Sequence, residues 1–280
     1  LPITEENKVL VVATSPSPPL LSPDNKYIFQ ASSLHTNPPS VFGWFTDTHP
    51  DMKTFVALFT DDMKGHAEAD MLRHLCDVFD RELLDVIHYP PDCTDFSAYA
   101  TRLAQLNPDV YTTCAGGPVQ DALSMKGMKE SGWDGQIFLY VALSPPAISK
   151  VISLDFVEGA ICVMVGAELE SPPPIAKEML DAYITKHGEW TNPVILHVNA
   201  WYCLIEALKQ AQSLDVDDVA AVIASGLRFE SPQAPAVMIS RPDMGNPRTV
   251  DALYEAYMGR IEGGEAKHFY TISLEEALKS

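Results

Sequence analysis

Phe55-Val56-Ala57-Leu58-Phe59-Thr60-Asp61-Asp62 reads as a strand buried on both faces that runs out into a turn. An unbroken apolar run of this length has no side left for water, and Thr60-Asp61-Asp62 ends it. On its C-terminal side, His66 to Phe79 carries Met71, Leu72, Leu75, Val78 and Phe79 at helical spacing. Leu83 to His88 is the next strand, closed by Tyr89-Pro90-Pro91. Asp95 caps a helix with an apolar face of Phe96, Tyr99, Leu103 and Leu106, and Pro108 stops it. Asp109 to Cys114 is a strand, and Gly116-Gly117-Pro118 turns into a helix ending near Ser131. Gln136 to Ala142, a helix after Pro146, and Gly159 to Val165 complete the pattern β-α-β-α-β-α-β-α-β. Continuous apolar strands alternating with helices predict a parallel sheet covered on both faces, hence an α/β fold with a doubly wound lobe.

The flanks are thinner. Val9 to Val12 is strand-like, Ala13 to Pro23 is a Ser/Pro-rich loop, Tyr27-Ile28-Phe29 is a short apolar run, and Val41 to Thr46 suits a helix. After Ser171-Pro172-Pro173-Pro174 come helical stretches at Ile175 to His187, Pro193 to Ala211 and Val216 to Ser225. Short strand signals follow at Ala252 to Arg260 and His268 to Ile272, with Gly263-Gly264 as a turn. Neither flank forms a core alone, so the chain is expected to cross between two lobes more than once. The expected division is residues 1–50 with 171–235 in a first, partial lobe, and 51–170 with 236–280 in a second.

The 280 residues carry a net charge of −19, which repels phosphate backbones and anionic lipid and argues against nucleic-acid partners. No apolar run is long enough to suggest direct membrane insertion. Leu1-Pro2-Ile3-Thr4-Glu5-Glu6 lacks the basic-then-apolar pattern of a signal peptide. Cys76, Cys93, Cys114, Cys162 and Cys203 form no CxxC pair; Cys114 and Cys162 lie in strand-like runs and Cys203 in a helical one, as small buried hydrophobes do. Unpaired thiols fit an oxidising compartment poorly. GxSxG, HExxH, GxGxxG and GxxxxGK are all absent, and His66, His74, His88, His187 and His197 are scattered, with His197 suiting a core or boundary position. No enzyme activity, cofactor or metal is expected.

Open α/β sheets bind ligands at the carboxyl ends of their strands. The loops in that position are Ala13-Thr14-Ser15-Pro16-Ser17, Asp61 to His66, Ala115-Gly116-Gly117 and Ala142-Leu143-Ser144. Their hydroxyls and free backbone N–H groups suit carboxylate or amide oxygens, though the same residue types also serve plain turns and caps.

Tyr89-Pro90-Pro91-Asp92-Cys93-Thr94-Asp95-Phe96-Ser97-Ala98, continued by Arg102-Leu103 and Asn107-Pro108-Asp109-Val110, resembles a stretch of the type I periplasmic solute-binding proteins of ABC transporters. This is the receptor group for branched-chain amino acids, amides and aromatic acids. Glu6-Asn7-Lys8-Val9 with the Ser/Pro loop, Thr60-Asp61-Asp62 through Gly65, and Glu158-Gly159-Ala160 resemble further segments of it. The resemblance implies two doubly wound lobes with an interlobe cleft, three crossovers, hinged closure on a solute, delivery to an ABC transporter membrane permease, and a periplasmic location. It also implies that the first lobe is incomplete, because the family begins with further βα units. Carried over position by position, it places ligand contacts at Ala13, Thr14, Ser15, Ser17, Lys64, Ala115, Gly116, Gly117, Tyr140 and Ala142. Amino acid binders place an acidic residue near Tyr140-Val141-Ala142, where this chain has none. A buried α-ammonium would be left unpaired there, so the expected solute is a carboxylate or neutral molecule, aromatic ones included, rather than an α-amino acid. The alternative is the ligand-sensing domain of a cytoplasmic regulator or signalling receptor, which the thiols favour.

Overall fold

The computed structural model describes residues 2–14, 22–32, 36–113, 117–142, 145–190, 194–242 and 246–279. In chain order the elements are α1 (Pro2–Glu6), β1 (Val11–Ala13), β2 (Ile28–Gln30), α2 (Pro38–Thr48), β3 (Thr54–Thr60), α3 (Met63–Val78) and β4 (Glu82–Tyr89). They continue with α4 (Ser97–Ala104), β5 (Val110–Thr113), α5 (Pro118–Glu130), β6 (Gln136–Ala142), α6 (Pro145–Ser149), β7 (Ile161–Met164) and α7 (Pro174–His187). The rest are α8 (Val194–Ala211), α9 (Val216–Ala224), β8 (Arg228–Phe229), β9 (Ala236–Arg241), β10 (Asn246–Tyr254), β11 (Ala256–Glu262), β12 (Glu265–Ile272) and α10 (Leu274–Ala277).

The chain divides into two compact units. The first holds Leu1–Ser40, Val165–Ala256 and Thr271–Ser280; the second holds Val41–Met164 and Tyr257–Tyr270. The chain therefore passes between units at residues 40/41, 164/165, 256/257 and 270/271, one passage more than the resemblance implies. These limits also differ from the expected ones. Residues 41–50 join the second unit because Phe42 and Phe45 of α2 pack on Phe55 and Phe138, with Phe45 and Phe138 stacked at 3.9 Å. Residues 236–256 join the first because β10 pairs antiparallel with β9 and parallel with β2 through Asp251 and Gln30.

The second unit is the doubly wound lobe. Its sheet runs β12-β11-β7-β6-β5-β3-β4. β4, β3, β5, β6 and β7 are parallel, and β11 joins β7 antiparallel. From Phe55 to Thr60 every residue of β3 is buried, as expected of a strand covered on both faces. α3 lays Gly65, Ala69, Leu72, Leu75 and Cys76 inward. α4 and α5 approach closely enough that a Cβ on Gly127 would lie 3.2 Å from Ala100 Cβ. The amino ends of the sheet are pinned by Asp109, whose Oδ2 accepts from Lys53 N, Thr54 N and Thr54 Oγ1, each at 2.8 Å. Burial works to raise that carboxyl's pKa, but the bonds from Thr54 and Lys53 outweigh it and hold it below the usual range. Val78 and Leu106, expected on apolar helix faces, are 58% and 43% exposed: Val78 ends α3 and Leu106 lies beyond α4. Gly263 and Gly264, with φ of 62° and 79°, make the tight turn between β11 and β12.

The first unit differs from a plain doubly wound lobe, because its sheet is mixed. The order is β1-β2-β10-β9-β8, parallel from β1 to β10 and antiparallel beyond. Polar side chains tie it together. Asn37 Nδ2 donates to Tyr254 O at 2.9 Å, Tyr254 N returns a bond to Asn37 Oδ1 at 3.2 Å, and Thr36 Oγ1 donates to Ala252 O at 2.6 Å. At the surface Lys8, Lys26 and Tyr27 converge on Asp217 at 2.6, 2.7 and 2.7 Å. The bonds from Lys26, Lys8 and Tyr27 drive that carboxyl far below the usual range.

Among the described cysteines, Cys76, Cys162 and Cys203 are buried and Cys93 is half-buried, all as free thiols; Cys114 lies outside the described residues. Burial pushes the Cys76 and Cys203 thiols up to about 12, so neither forms thiolate near neutrality. Iodoacetamide at pH 8 is expected to alkylate Cys93 well before Cys76, Cys162 and Cys203. Site-resolved mass spectrometry checks this, and equal labelling at Cys203 would mean that the core opens readily.

Candidate functional site

Parallel strands put their carboxyl ends on one edge of a sheet. In the second unit that edge collects the ends of β3, β5 and β6, which neighbour one another. It therefore brings Lys64, Gly117 and Ala142 to one side of the sheet, three positions far apart in sequence.

Beyond β3, Asp62 caps α3, accepting Gly65 N at 2.8 Å and Thr60 Oγ1 at 3.1 Å. The Gly65 N–H, first among these bonds, holds the Asp62 carboxyl below the usual carboxylate range. Lys64 follows in the first turn of α3 and is exposed. A helix N-terminus with a lysine on it favours anions. Beyond β5, Gly117 takes φ 86° and starts α5, a left-handed conformation natural to glycine. Thr113 Oγ1 sits behind it, 2.9 Å from Leu58 O and 3.1 Å from the buried Asp121 Oδ1 in the first turn of α5. In β6 the register shifts between Leu139 and Ala142, and such irregularities re-aim side chains at sheet rims. Tyr140 is 1% exposed, with its ring packed near Phe138, so it supports the rim from below.

In the first unit Ala13 ends β1, its carbonyl accepting Ala31 N at 2.8 Å. Thr14 follows, with Oγ1 3.2 Å from Nδ1 of His197 in the first turn of α8. His197 is exposed rather than a core residue. Ser15, Ser17, Ala115 and Gly116 lie outside the described residues.

Sequence reading missed two features here. His66 and His88 stack at 4.1 Å between ring centroids, with His66 Nε2 2.9 Å from Asp61 Oδ1. Their positions gave no sign of this, because parallel pairing of β3 with β4 is what aligns them. The second is Gln30, the last residue of β2, which falls in register with Ala13. Two pockets lie elsewhere. One of about 400 Å³ opens at the amino ends of the second unit's strands, around Asp109, Lys129 and Glu158. Another of about 640 Å³ lies in the first unit around Tyr202, Phe229 and Glu255. Neither is lined by Thr14, Lys64, Gly117 or Ala142. Among the described residues there is no cluster of His, Cys, Asp and Glu suited to a metal, and no helix long and apolar enough to cross a membrane.

A family profile described as periplasmic binding protein matches residues 1–261. No curated protein sequence matches the chain. Among solved structures, a leucine binding protein from Thermotoga maritima aligns with TM-score 0.75 at 18% identity, covering 98% of this chain and 76% of that one. A Rhodopseudomonas palustris ABC-transporter solute-binding protein in complex with 3,4-dihydroxybenzoic acid aligns at 0.71 and 19% identity, covering 97% and 74%. Another from Rhodopseudomonas palustris, in complex with benzoate, aligns at 0.72 and 12% identity, covering 97% and 73%. At these identities the likeness is one of fold: two α/β lobes of the type I solute-binding kind.

Proposed function

The chain belongs to the periplasmic binding protein family, and from that premise we propose that it traps a small carboxylate or neutral solute, aromatic acids included, and hands it unchanged to an ABC transporter permease. The observation that carries this is the carboxyl-end rim of the second unit, where Lys64, in the first turn of α3, shares one sheet edge with Gly117 and Ala142. Positive charge at a helix N-terminus holds a carboxylate. Residues 140–142 supply no acid for an α-ammonium. Thr14 and its neighbours Ala13, Ser15 and Ser17 are the proposed contacts from the first unit. Ala115 and Gly116 extend the second unit's set, with Tyr140 behind them. Closure of the two lobes on the solute, and the periplasm as the place of work, belong to the same reading. The neighbours bound to benzoate and to 3,4-dihydroxybenzoate support an aromatic acid.

Titration calorimetry with benzoate, 3,4-dihydroxybenzoate and leucine tests it. At least one aromatic acid is expected to bind more than about tenfold tighter than leucine, and Lys64→Ala to weaken it roughly tenfold, the worth of one charge-assisted contact. Leucine binding tightest would refute the solute class. Bound acid recovered intact by mass spectrometry is the expected result for a carrier; turnover would speak for an enzyme.

A second reading, a ligand-sensing domain, is favoured by the free thiols of Cys76, Cys93, Cys162 and Cys203. Stimulation of a reconstituted permease's ATPase by the loaded protein separates the two.

A further inference from the structure

Gln30 lies at the carboxyl end of β2, between Ala13 of β1 and Asp251 of β10 in register. Its side chain is 1% exposed, and neither Nε2 nor Oε1 has a hydrogen-bond partner. A primary amide carries two donors and an acceptor, and buried groups of this kind are nearly always satisfied. The surrounding polar groups are committed to one another. Asp251 takes Arg241 Nη1 at 2.9 Å and Ala252 N at 3.0 Å, the Ala13 carbonyl takes Ala31 N at 2.8 Å, and the Tyr254 hydroxyl donates to Ala31 O at 3.1 Å. Packing does not call for an amide here, since methionine or leucine fills such a space without orphaned atoms. The place is the carboxyl end of two parallel strands, one residue before Thr14 on the neighbouring strand, where open α/β sheets take their ligands.

We propose that Gln30 contacts the solute and sets its specificity, with Nε2 donating to and Oε1 accepting from a hydroxyl group on it. This rests on the solute-binding reading above. A carboxylate satisfies the amide's donors but has no proton to give Oε1; a hydroxyl answers both. The solute class is thereby narrowed to a hydroxylated aromatic acid whose hydroxyl meets the Gln30 amide. A site built around a hydroxyl discriminates strongly against the analogue that lacks it, because its own polar atoms are then stranded.

The test compares wild type, Gln30→Met and Gln30→Leu by titration calorimetry with 3,4-dihydroxybenzoate and benzoate, alongside the melting temperature of each unliganded protein. Wild type is expected to prefer the hydroxylated acid by about tenfold or more, and both variants to lose roughly ten- to hundredfold for it while changing less than about twofold for benzoate. Unliganded variants are expected to melt no lower than wild type, because an apolar side chain removes an unpaired amide. Equal affinities in wild type and variants overturn the proposal and leave the solute-binding reading standing. Variants that both melt lower by more than about 5 °C also overturn it, marking the amide as a structural group. Wild type that binds neither acid overturns the aromatic-acid reading and this proposal with it.

Discussion

Asp251→Ala is expected to lower the unfolding free energy by about 3–5 kcal/mol, the cost of breaking a buried ion pair from one side. Asp251 Oδ2 lies 2.9 Å from Arg241 Nη1, with side chains 0% and 7% exposed. Oδ1 also accepts Ala252 N at 3.0 Å, so the carboxylate fixes both its partner and its own strand. Truncation leaves a guanidinium in the sheet without that carboxylate, and a charge away from water is far more costly than a lost contact. The double variant Arg241→Met with Asp251→Leu is expected to cost much less than either single one, because nothing charged remains to be desolvated. Urea unfolding followed by fluorescence, extrapolated linearly, gives the three free energies. Hydrogen exchange locates the damage, which should concentrate in β2, β9 and β10. A single-variant cost below about 1 kcal/mol would mean that the pair is solvated in solution.

The same pair explains why half of the fold was harder to read. β3, β5 and β6 announce themselves as apolar runs, and their order along the chain gives the doubly wound sheet directly. β9 and β10 carry Arg241 and Asp251 inward, so the period-two signal breaks where the burial is complete. The other neighbour of β10, β2, lies more than two hundred residues earlier in sequence, and a single register match, Asp251 with Gln30, joins the two. Residues 41–50 misled for the opposite reason: α2 is apolar enough to suit either unit, and the packing of Phe42 and Phe45 on Phe55 and Phe138 decides. At the candidate site, chemistry was legible and placement was not. Thr14, Lys64 and Gly117 stand out by residue type after a strand. His66 beside His88, and Gln30 beside Ala13, exist only once strands pair in parallel, and an amide inside an apolar triplet, Ile28-Phe29-Gln30, gives no sign of being left unbonded.

Gly65→Ala is expected to lower both stability and solute affinity, and to do so through backbone geometry alone. A Cβ at Gly65 would fall 1.9 Å from Thr60 O, 2.8 Å from Thr60 C and 2.9 Å from Thr60 N. All of these are backbone atoms at the end of β3, so no side chain can swing aside. Ordinary contact needs about 3.5 Å, which forces the start of α3 away from the sheet. That movement strains the 2.8 Å bond from Gly65 N to Asp62 Oδ1 and displaces the neighbouring Lys64. Overpacking of this kind costs about 1–3 kcal/mol, and a compromised N-cap adds about 1 kcal/mol. Gly43→Ala is the control. Its Cβ would meet only the Phe79 ring, nearest at 3.0 Å, and that ring can give. Alanine in a helix gains about 0.5–1 kcal/mol over glycine, so Gly43→Ala should be close to neutral. Calorimetric unfolding of both variants, with titration of the best-bound aromatic acid, reads the two effects together. Gly65→Ala behaving like Gly43→Ala in both measurements would show that α3 does not press against the end of β3, and would remove the geometric reason for placing Lys64 at the rim.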